Sequence, residues 1–360
     1  MPLSEKWREL VSGKPRSTAA KTARAALTLL STPYAAAVRL RNGLYNRNLL
    51  RAHRLDRPVI CIGNLTVGGT GKTPLVAWLT QHLADRGLQP AVLTRGYKAT
   101  AGQSDEVRCL RQALPSIDVV VDSDRVRAGR HAIDNLNAQV LILDDGFQHR
   151  RLARQLDIVV IDATCPFGYG RLLPAGLLRE PATALARAHA AVISRSDLVP
   201  PDQVTALTDK VASLLNPTAQ TNKPVAHAQH KPTHLLTPDG QHLTLDQLHN
   251  TPVAAFCGIG NPQAFFATLE KLGAKLVTKK VFTDHHPYTE ADITQLASWA
   301  RQSRAALVIT TEKDYVKLQP LQSTPTLDHL ARLQVAMNLT LNAHQLTACL
   351  QAVLRQYNPE

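Results

Sequence analysis

A glycine-rich segment followed by a lysine and a threonine carries the residue types that most clearly predict chemistry. It runs from Gly63 to Pro74, with an apolar run before it (58–62) and an amphipathic helical pattern after it (74–86). Strand, glycine-rich turn, Gly-Lys-Thr and helix in this order are typical of a phosphate-binding loop. The backbone N–H groups of the loop and the helix N-terminus would then surround an anion. The sequence therefore predicts a nucleotide-binding protein.

Two side chains of this loop have expected roles in phosphoryl chemistry. Lys72 is expected to contact the outer phosphates, and the hydroxyl of Thr73 is expected to coordinate Mg²⁺. The usual pattern has glycine at the position of Thr66. The alternative is a glycine-rich turn without a ligand, but the flanking strand and helix favour the nucleotide site. The candidate nucleotide-binding residues are Thr66, Val67, Gly68, Gly69, Thr70, Gly71, Lys72 and Thr73.

A pair of carboxylates follows another apolar run, at 140–143. Asp144 and Asp145 come directly after this predicted strand. An aspartate at a strand end is common in loops generally. Downstream of a phosphate-binding loop, however, such a pair indicates the group that holds Mg²⁺ or its water shell. We therefore take both residues as candidate metal ligands.

Two other polar pairs are ambiguous from spacing alone. Asp105-Glu106 lies in a polar stretch after the predicted strand 90–94, where such a pair is usually a solvated turn. His285-His286 follows a strand of the second half of the chain, and an exposed histidine pair is more often inert than catalytic. The residue pattern leaves both pairs undecided.

Alternating strand and helix patterns predict an α/β protein with a mainly parallel sheet and helices on both faces. The predicted organisation is a phosphate-loop domain at 58–215, a linker and hairpin at 216–250, and a smaller α/β domain at 251–360. No run of the sequence reaches the roughly 18 apolar residues of a membrane span. The five cysteines are scattered and lack CxxC spacing, which favours reduced thiols.

Positive charge is concentrated at the start of the chain. The net charge is +13, and residues 1–57 contain twelve Lys and Arg against three acidic residues. A basic segment of this kind predicts an anionic partner such as a lipid surface, a nucleic acid or an acidic substrate. We predict that 1–57 associates with an anionic membrane surface.

The membrane hypothesis depends on a helical stripe in this segment. Arg39, Arg47 and Arg51 lie off the stripe, whereas Arg41 falls near it and would have to snorkel. A helix packed on its own domain with solvated arginines fits the pattern equally well. The stripe consists of Tyr34, Ala37, Val38, Leu44, Tyr45 and Leu49.

Several unusual motifs occur along the chain in a fixed order, and together they identify a family more specifically than the phosphate loop alone. The sequence resembles the tetraacyldisaccharide 4′-kinase family of lipid A biosynthesis over nearly its whole length. The motifs are Gly63–Pro74, Thr94–Tyr97, Leu143–His149, Gly170–Gly176 with Leu178–Pro181, Phe256–Pro262, Asp284-His285, and Thr311–Asp314 with Val316–Leu318.

The resemblance implies transfer of the γ-phosphate of ATP to the 4′-hydroxyl of a membrane-bound, acylated glucosamine disaccharide 1-phosphate, with Mg²⁺ as the metal. It assigns Asp105, Asp144, Asp145 and His285 as the acidic and basic groups of the site, with Lys72 on the phosphates. An Asp/His pair gives the hydroxyl proton a destination. The sequence leaves open which of Asp105 and His285 takes it, and we expect the two to act together across a cleft between domains.

One departure from the family pattern concerns the first of these residues. The family usually has Gly-Asp-Glu-Pro, whereas this chain has Ser104-Asp105-Glu106-Val107. The resemblance also implies a cytoplasmic protein that is peripheral on the inner face of the bacterial inner membrane. Its partners would be the lipid substrate and the membrane surface, and not nucleic acid.

Three other functions are weaker. A GTPase would have an Asn/Thr-Lys-x-Asp motif, and Glu312-Lys313-Asp314 lacks that spacing. A P-loop ATPase acting on nucleic acid would fit the basic segment, yet only 4% of residues are aromatic and no stacking platform is evident. A non-catalytic nucleotide-binding adaptor would need no base near the γ-phosphate.

Overall fold

The structure is a computed structural model that describes residues 3–96, 105–218, 222–284, 286–321 and 327–357. It divides into two compact units. Unit 1 comprises 1–96, 113–230 and 337–360, and unit 2 comprises 97–112 and 231–336.

The described strands, in chain order, are β1 (Val59–Asn64), β2 (Pro90–Thr94), β3 (Asp118–Val121), β4 (Val140–Asp144), β5 (Leu156–Asp162), β6 (Ala190–Ser194), β7 (Val225–Leu236), β8 (His242–Leu243), β9 (Pro252–Cys257), β10 (Lys275–Val281), β11 (Leu307–Thr311) and β12 (Leu330–Leu341). The α-helices are α1 (Leu3–Val11), α2 (Thr18–Asn46), α3 (Lys72–Ala84), α4 (Asp105–Ala113), α5 (Arg125–Leu136), α6 (Pro201–Leu215), α7 (Pro262–Lys271), α8 (Glu290–Gln302), α9 (Glu312–Leu318) and α10 (Ala343–Arg355).

Unit 1 is built on a parallel sheet in the order β3-β2-β4-β1-β5-β6-β7. Every residue of β1, β2, β4, β5 and β6 is buried, as expected for strands covered on both faces. β1 lies between β4 and β5, so the loops after these three strands meet at one edge. The predicted mainly parallel α/β fold is confirmed.

Unit 2 contains a second parallel arrangement, in the order β10-β9-β11-β12. The last part of β7 pairs antiparallel with β8, which forms the predicted hairpin. Two apolar clusters, one around Phe266 and one around Phe256, form the core.

The observed division of the chain differs from the predicted one in three segments. The predicted linker contains the start of β7, and Ala191 of β6 pairs with Val225 there. The last helix, α10, belongs to unit 1, where Asn342 Nδ2 donates to Val225 O at 2.9 Å. The polar stretch at Asp105 is the helix α4 and is part of unit 2. The sequence prediction assigned each domain one continuous range of residues. The chain enters unit 2 twice, so such ranges could not describe the observed division.

The basic N-terminal segment contains one long helix, α2, which passes through Pro33 without ending. Proline removes one backbone donor, so the carbonyl of Leu29 has no N–H four residues on. That carbonyl instead accepts a hydrogen bond from Thr32 Oγ1 at 2.6 Å.

Most of the stripe predicted to face a bilayer packs on unit 1 instead, and only Ala37 and Leu49 of the stripe are exposed. Tyr34 Oη donates to the carbonyl of Arg179 at 2.9 Å, and Val38 is buried. Arg41 does not snorkel, because it pairs with Glu180 at 2.9 Å. The interpretation of this stripe as the membrane face is therefore wrong: periodicity identifies an apolar face but not the surface that covers it.

A different face of α2 is exposed. Leu29, Leu30 and Leu40 are 72%, 59% and 66% exposed. Leu49 lies just beyond the helix and is exposed as well, as are the side chains of Arg39 and Arg47. Among the described residues, no helix is both long and apolar enough to cross a bilayer.

We expect Gly63→Ala to destabilise unit 1. A Cβ at this position would lie 2.5 Å from Phe147 Cβ and 2.8 Å from Phe147 N, and the backbone atom cannot rotate away. Overpacking of this kind costs about 1–3 kcal/mol, which thermal unfolding would record as a lower Tm. Gly69→Ala is the matched control, since no described atom lies within 4 Å of a Cβ added there. Equal Tm values for the two variants would contradict this packing.

Candidate active site

The glycine-rich loop connects β1 to α3 as predicted. Lys72 is the first residue of α3, and Gly71 before it has φ 85°. Gly68 has φ 117°, a backbone conformation that residues with a side chain rarely adopt. Thr66 has no positive φ and is buried, so the loop tolerates a side chain where the usual pattern has glycine.

Neighbouring side chains hold this loop in place. Asn64 Nδ2 donates to Thr66 O at 2.9 Å and to Thr70 Oγ1 at 3.1 Å. From the end of β6, Ser194 Oγ donates to Thr70 O at 2.7 Å and Arg195 Nη1 donates to a loop carbonyl, Gly69 O, at 3.0 Å. Three loop carbonyls, those of Thr66, Gly69 and Thr70, thus accept hydrogen bonds from protein side chains, and the N–H of Val67 donates to Leu177 O at 2.8 Å.

Asp145 contacts the lysine of the loop. Asp145 Oδ1 lies 3.3 Å from Lys72 Nζ, and Asp145 Oδ2 accepts a hydrogen bond from Arg179 Nη1 at 2.8 Å. Burial would raise the pKa of Asp145, but the positive charges of Lys72 and Arg179 outweigh it and lower the pKa to about 2. Asp145 is therefore ionised at neutral pH and is available as a ligand for a cation.

Asp144 ends β4 and is buried, and Thr94 Oγ1 lies 3.4 Å from its Oδ2. Together with Asp145 and the hydroxyl of Thr73, it provides hard oxygen ligands, which suit Mg²⁺. Within the described ranges no group of three or more His, Cys, Asp or Glu is placed to hold a metal. Mg²⁺ commonly takes one or two protein carboxylates and completes its shell with phosphates and water, so this donor set fits the ion.

Asp105 lies in unit 2, as the first residue of α4, and Asp284 belongs to the same unit. The expectation that Asp105 acts across a cleft between domains is therefore wrong, because α4 is not part of the phosphate-loop unit. Its Oδ2 is 3.8 Å from Lys313 Nζ, and the same amine lies 3.1 Å from Asp284 Oδ1. The structure thus brings Asp105 near Asp284, the residue before His285. His285 itself lies outside the described residues.

The sequence analysis missed three residues that contact the phosphate loop or Asp145, and two of them are basic. Arg179 was quoted only as part of a motif, and Ser194 and Arg195 were not singled out. A conspicuous signal was available for Arg179, because an Arg-Glu pair stood inside a motif that otherwise contains mostly apolar residues, glycine and proline.

Comparisons with known proteins agree on one family. The family model described as tetraacyldisaccharide-1-P 4′-kinase matches residues 23–355. The chain is 40% identical over 346 residues to a protein named tetraacyldisaccharide 4′-kinase from Anaeromyxobacter dehalogenans (strain 2CP-C), covering 91% of this chain and 89% of that one. It is 40% identical over 321 residues to a protein of the same name from Syntrophus aciditrophicus, covering 82% and 84%.

A solved structure is also similar. The "apo" form of LpxK from Aquifex aeolicus in complex with ATP matches with a TM-score of 0.71 and 30% sequence identity. The match covers 92% of this chain and 99% of that chain. Sequence and fold thus agree over nearly the whole length.

Proposed function

This chain belongs to the tetraacyldisaccharide 4′-kinase family, and we propose that the loop edge of unit 1 binds ATP and Mg²⁺ through the residues named above. The protein is an ATP-dependent kinase that phosphorylates the 4′-hydroxyl of an acylated glucosamine disaccharide 1-phosphate in lipid A biosynthesis. The observation that carries the site assignment is the approach of Asp145 to Lys72 at the end of the glycine-rich loop.

The roles of the loop residues follow from phosphoryl-transfer chemistry. The loop N–H groups other than that of Val67, which donates to Leu177 O at 2.8 Å, and the N-terminus of α3 bind the phosphates. Lys72 leaves Asp145 to contact the outer phosphates. Thr73, Asp144 and Asp145 would hold Mg²⁺. Bound Mg²⁺ neutralises charge that develops on the phosphate oxygens. Catalysis here is positioning and charge neutralisation.

Proton removal is the second requirement, since a sugar hydroxyl is a poor nucleophile while it keeps its proton. We assign this step to Asp105 and His285, as the family resemblance implies. Supporting it, Lys313 lies near both Asp105 and Asp284, so α4 and the segment that leads into His285 share one cation.

The metal assignment is testable by Mg²⁺ titration. Asp144→Asn and Asp145→Asn each remove a carboxylate ligand, and we expect each to raise the Mg²⁺ concentration for half-maximal phosphorylation by roughly tenfold or more. Asp118→Asn, a carboxylate on β3 outside the site, is the control. An unchanged Mg²⁺ dependence in both site variants would remove Asp144 and Asp145 from the metal site.

The membrane surface is the partner that we propose for α2, on the cytoplasmic side of the inner membrane. The substrate's acyl chains lie in the bilayer, so the enzyme must reach that surface. The exposed Leu29, Leu30 and Leu40 can enter the headgroup boundary, while exposed Arg39 and Arg47 contact lipid phosphates.

We expect the triple change Leu29→Ser, Leu30→Ser and Leu40→Ser to weaken binding to anionic vesicles by at least tenfold. Full burial of one leucine is worth roughly 1.5–3 kcal/mol, so partial burial of three exceeds the 1.4 kcal/mol of a tenfold change. Vesicle sedimentation measures it, and KM for lipid in vesicles should rise while KM for ATP stays constant. Val277→Ser, at an exposed valine of unit 2, is the control. Full sedimentation of the triple variant would contradict this face as the anchor.

A further inference from the structure

Arg179 and Glu180 are neighbours in the chain, and they contact different parts of unit 1. Arg179 Nη1 donates to Asp145 Oδ2 at 2.8 Å and to Gln148 Oε1 at 3.3 Å. Glu180 is fully buried, and its carboxylate pairs with Arg41 of α2 at 2.9 Å. One dipeptide therefore joins the helix to the carboxylate of the ATP site.

α2 holds this dipeptide at three points. Tyr34 Oη donates to the carbonyl of Arg179 at 2.9 Å. Asn42 Nδ2 donates to Glu180 Oε2 at 3.1 Å, in addition to the ion pair made by Arg41. A buried carboxylate with these partners cannot shift without losing them, so the backbone of Arg179 is fixed relative to α2.

The same backbone is tied to the phosphate loop. The N–H of Arg179 donates to the carbonyl of Leu65, the first loop residue after β1, at 2.7 Å. In the structure Asp145 is shared by Lys72 and Arg179. Once Lys72 turns to the phosphates, Arg179 is the cation of this pair that still holds Asp145.

We propose that Arg179 is a positioning residue for phosphoryl transfer, that it fixes the Asp145 carboxylate, and that α2 supports it through Tyr34 and Glu180. The helix assigned to the membrane surface is then also a structural support of the Mg²⁺·ATP site. This inference rests on the proposed role of Asp145 as a metal ligand.

The test is calorimetric binding of the non-hydrolysable analogue AMP-PNP to the full chain, with Mg²⁺ and with EDTA. Arg179→Ala should weaken the Mg²⁺-dependent binding by roughly 10–100-fold, the usual effect of removing a partner that orients a metal ligand, and change the binding in EDTA less. Arg179→Lys should restore part of the loss. Tyr34→Phe, which removes one hydroxyl, should weaken Mg²⁺-dependent binding by roughly 2–10-fold.

A double-mutant cycle separates an effect of Tyr34 that acts through Arg179 from a general perturbation of the structure. If Tyr34 acts through Arg179, the double variant Tyr34→Phe/Arg179→Ala should bind no more weakly than Arg179→Ala alone. Tyr45→Phe makes the same chemical change elsewhere on α2, where the ring lies under Arg150, and should leave binding unchanged. Multiplicative losses, or wild-type binding by Arg179→Ala, would overturn the inference.

Asp145→Asn in the same assay distinguishes failure of the proposed role of Arg179 from failure of the proposed metal site. Loss of Mg²⁺-dependent binding in Asp145→Asn with wild-type binding in Arg179→Ala would overturn only the inference. Unchanged binding in Asp145→Asn would overturn the assignment of Asp145 itself. Should Arg179→Ala not fold, Arg179→Lys and Tyr34→Phe still decide the question, because both keep most of the contacts.

Discussion

Replacing Lys72 by alanine is expected to lower kcat for lipid phosphorylation by roughly 10²–10³-fold, the range for loss of one preorganised charge at a developing anion. Lys72 is the first residue of α3, where its side chain is 13% exposed and lies 3.3 Å from Asp145. Steady-state rates with ATP and micellar lipid measure the loss.

The fold should survive this change. Alanine is a good helix former, and Asp145 keeps Arg179 as a partner. Lys210→Ala, at an exposed lysine of α6, is the matched control and should keep the wild-type kcat. Near-wild-type turnover by a Lys72→Ala protein with an unchanged Tm would refute the nucleotide-site assignment.

Asp105→Ala and His285→Ala are each expected to lower kcat by roughly 10²–10⁴-fold, as removal of an acid–base group does. If the two act as one unit, the double variant should be little worse than the worse single variant. Rates of the two single variants and the double variant complete the cycle.

His286→Ala is the control for this cycle, because His286 is the neighbouring histidine and its Nε2 pairs with Asp292 at 3.1 Å. It should keep kcat within a few-fold of wild type. Multiplicative losses in the double variant would mean that Asp105 and His285 act independently. Normal turnover by His285→Ala would place the base elsewhere.

The nucleotide edge was predictable because its signals are local. Gly71 and Gly68 need positive φ, and a strand and a helix must flank the loop, so spacing alone identifies the motif. The position of Asp144 and Asp145 at the end of β4 was predicted for the same reason, because an apolar run directly precedes them. Arg179, the partner of Asp145, is 34 residues away in the chain, and no periodicity links the two.

α2 illustrates the limit of periodicity. The stripe with Tyr34 and Val38 was detected correctly as an apolar face, but its partner is the buried surface around Glu180, which spacing cannot identify. Leu29 and Leu40 are three helical turns apart on a second apolar face. α4 was missed because the acidic pair at its start was interpreted as part of a polar turn, although Val107, Cys109 and Leu110 form a buried face directly after it.

Phosphorylation of the acceptor lipid is the direct measurement of the 4′-kinase activity. Wild-type protein, Mg²⁺ and ATP with an acylated glucosamine disaccharide 1-phosphate in detergent micelles should yield one ADP for each lipid phosphorylated. Phosphorus NMR of the product should contain a new phosphomonoester on the 4′ position beside the original 1-phosphate. ATP hydrolysis without lipid phosphorylation, or phosphate on another hydroxyl, would contradict the 4′-kinase activity.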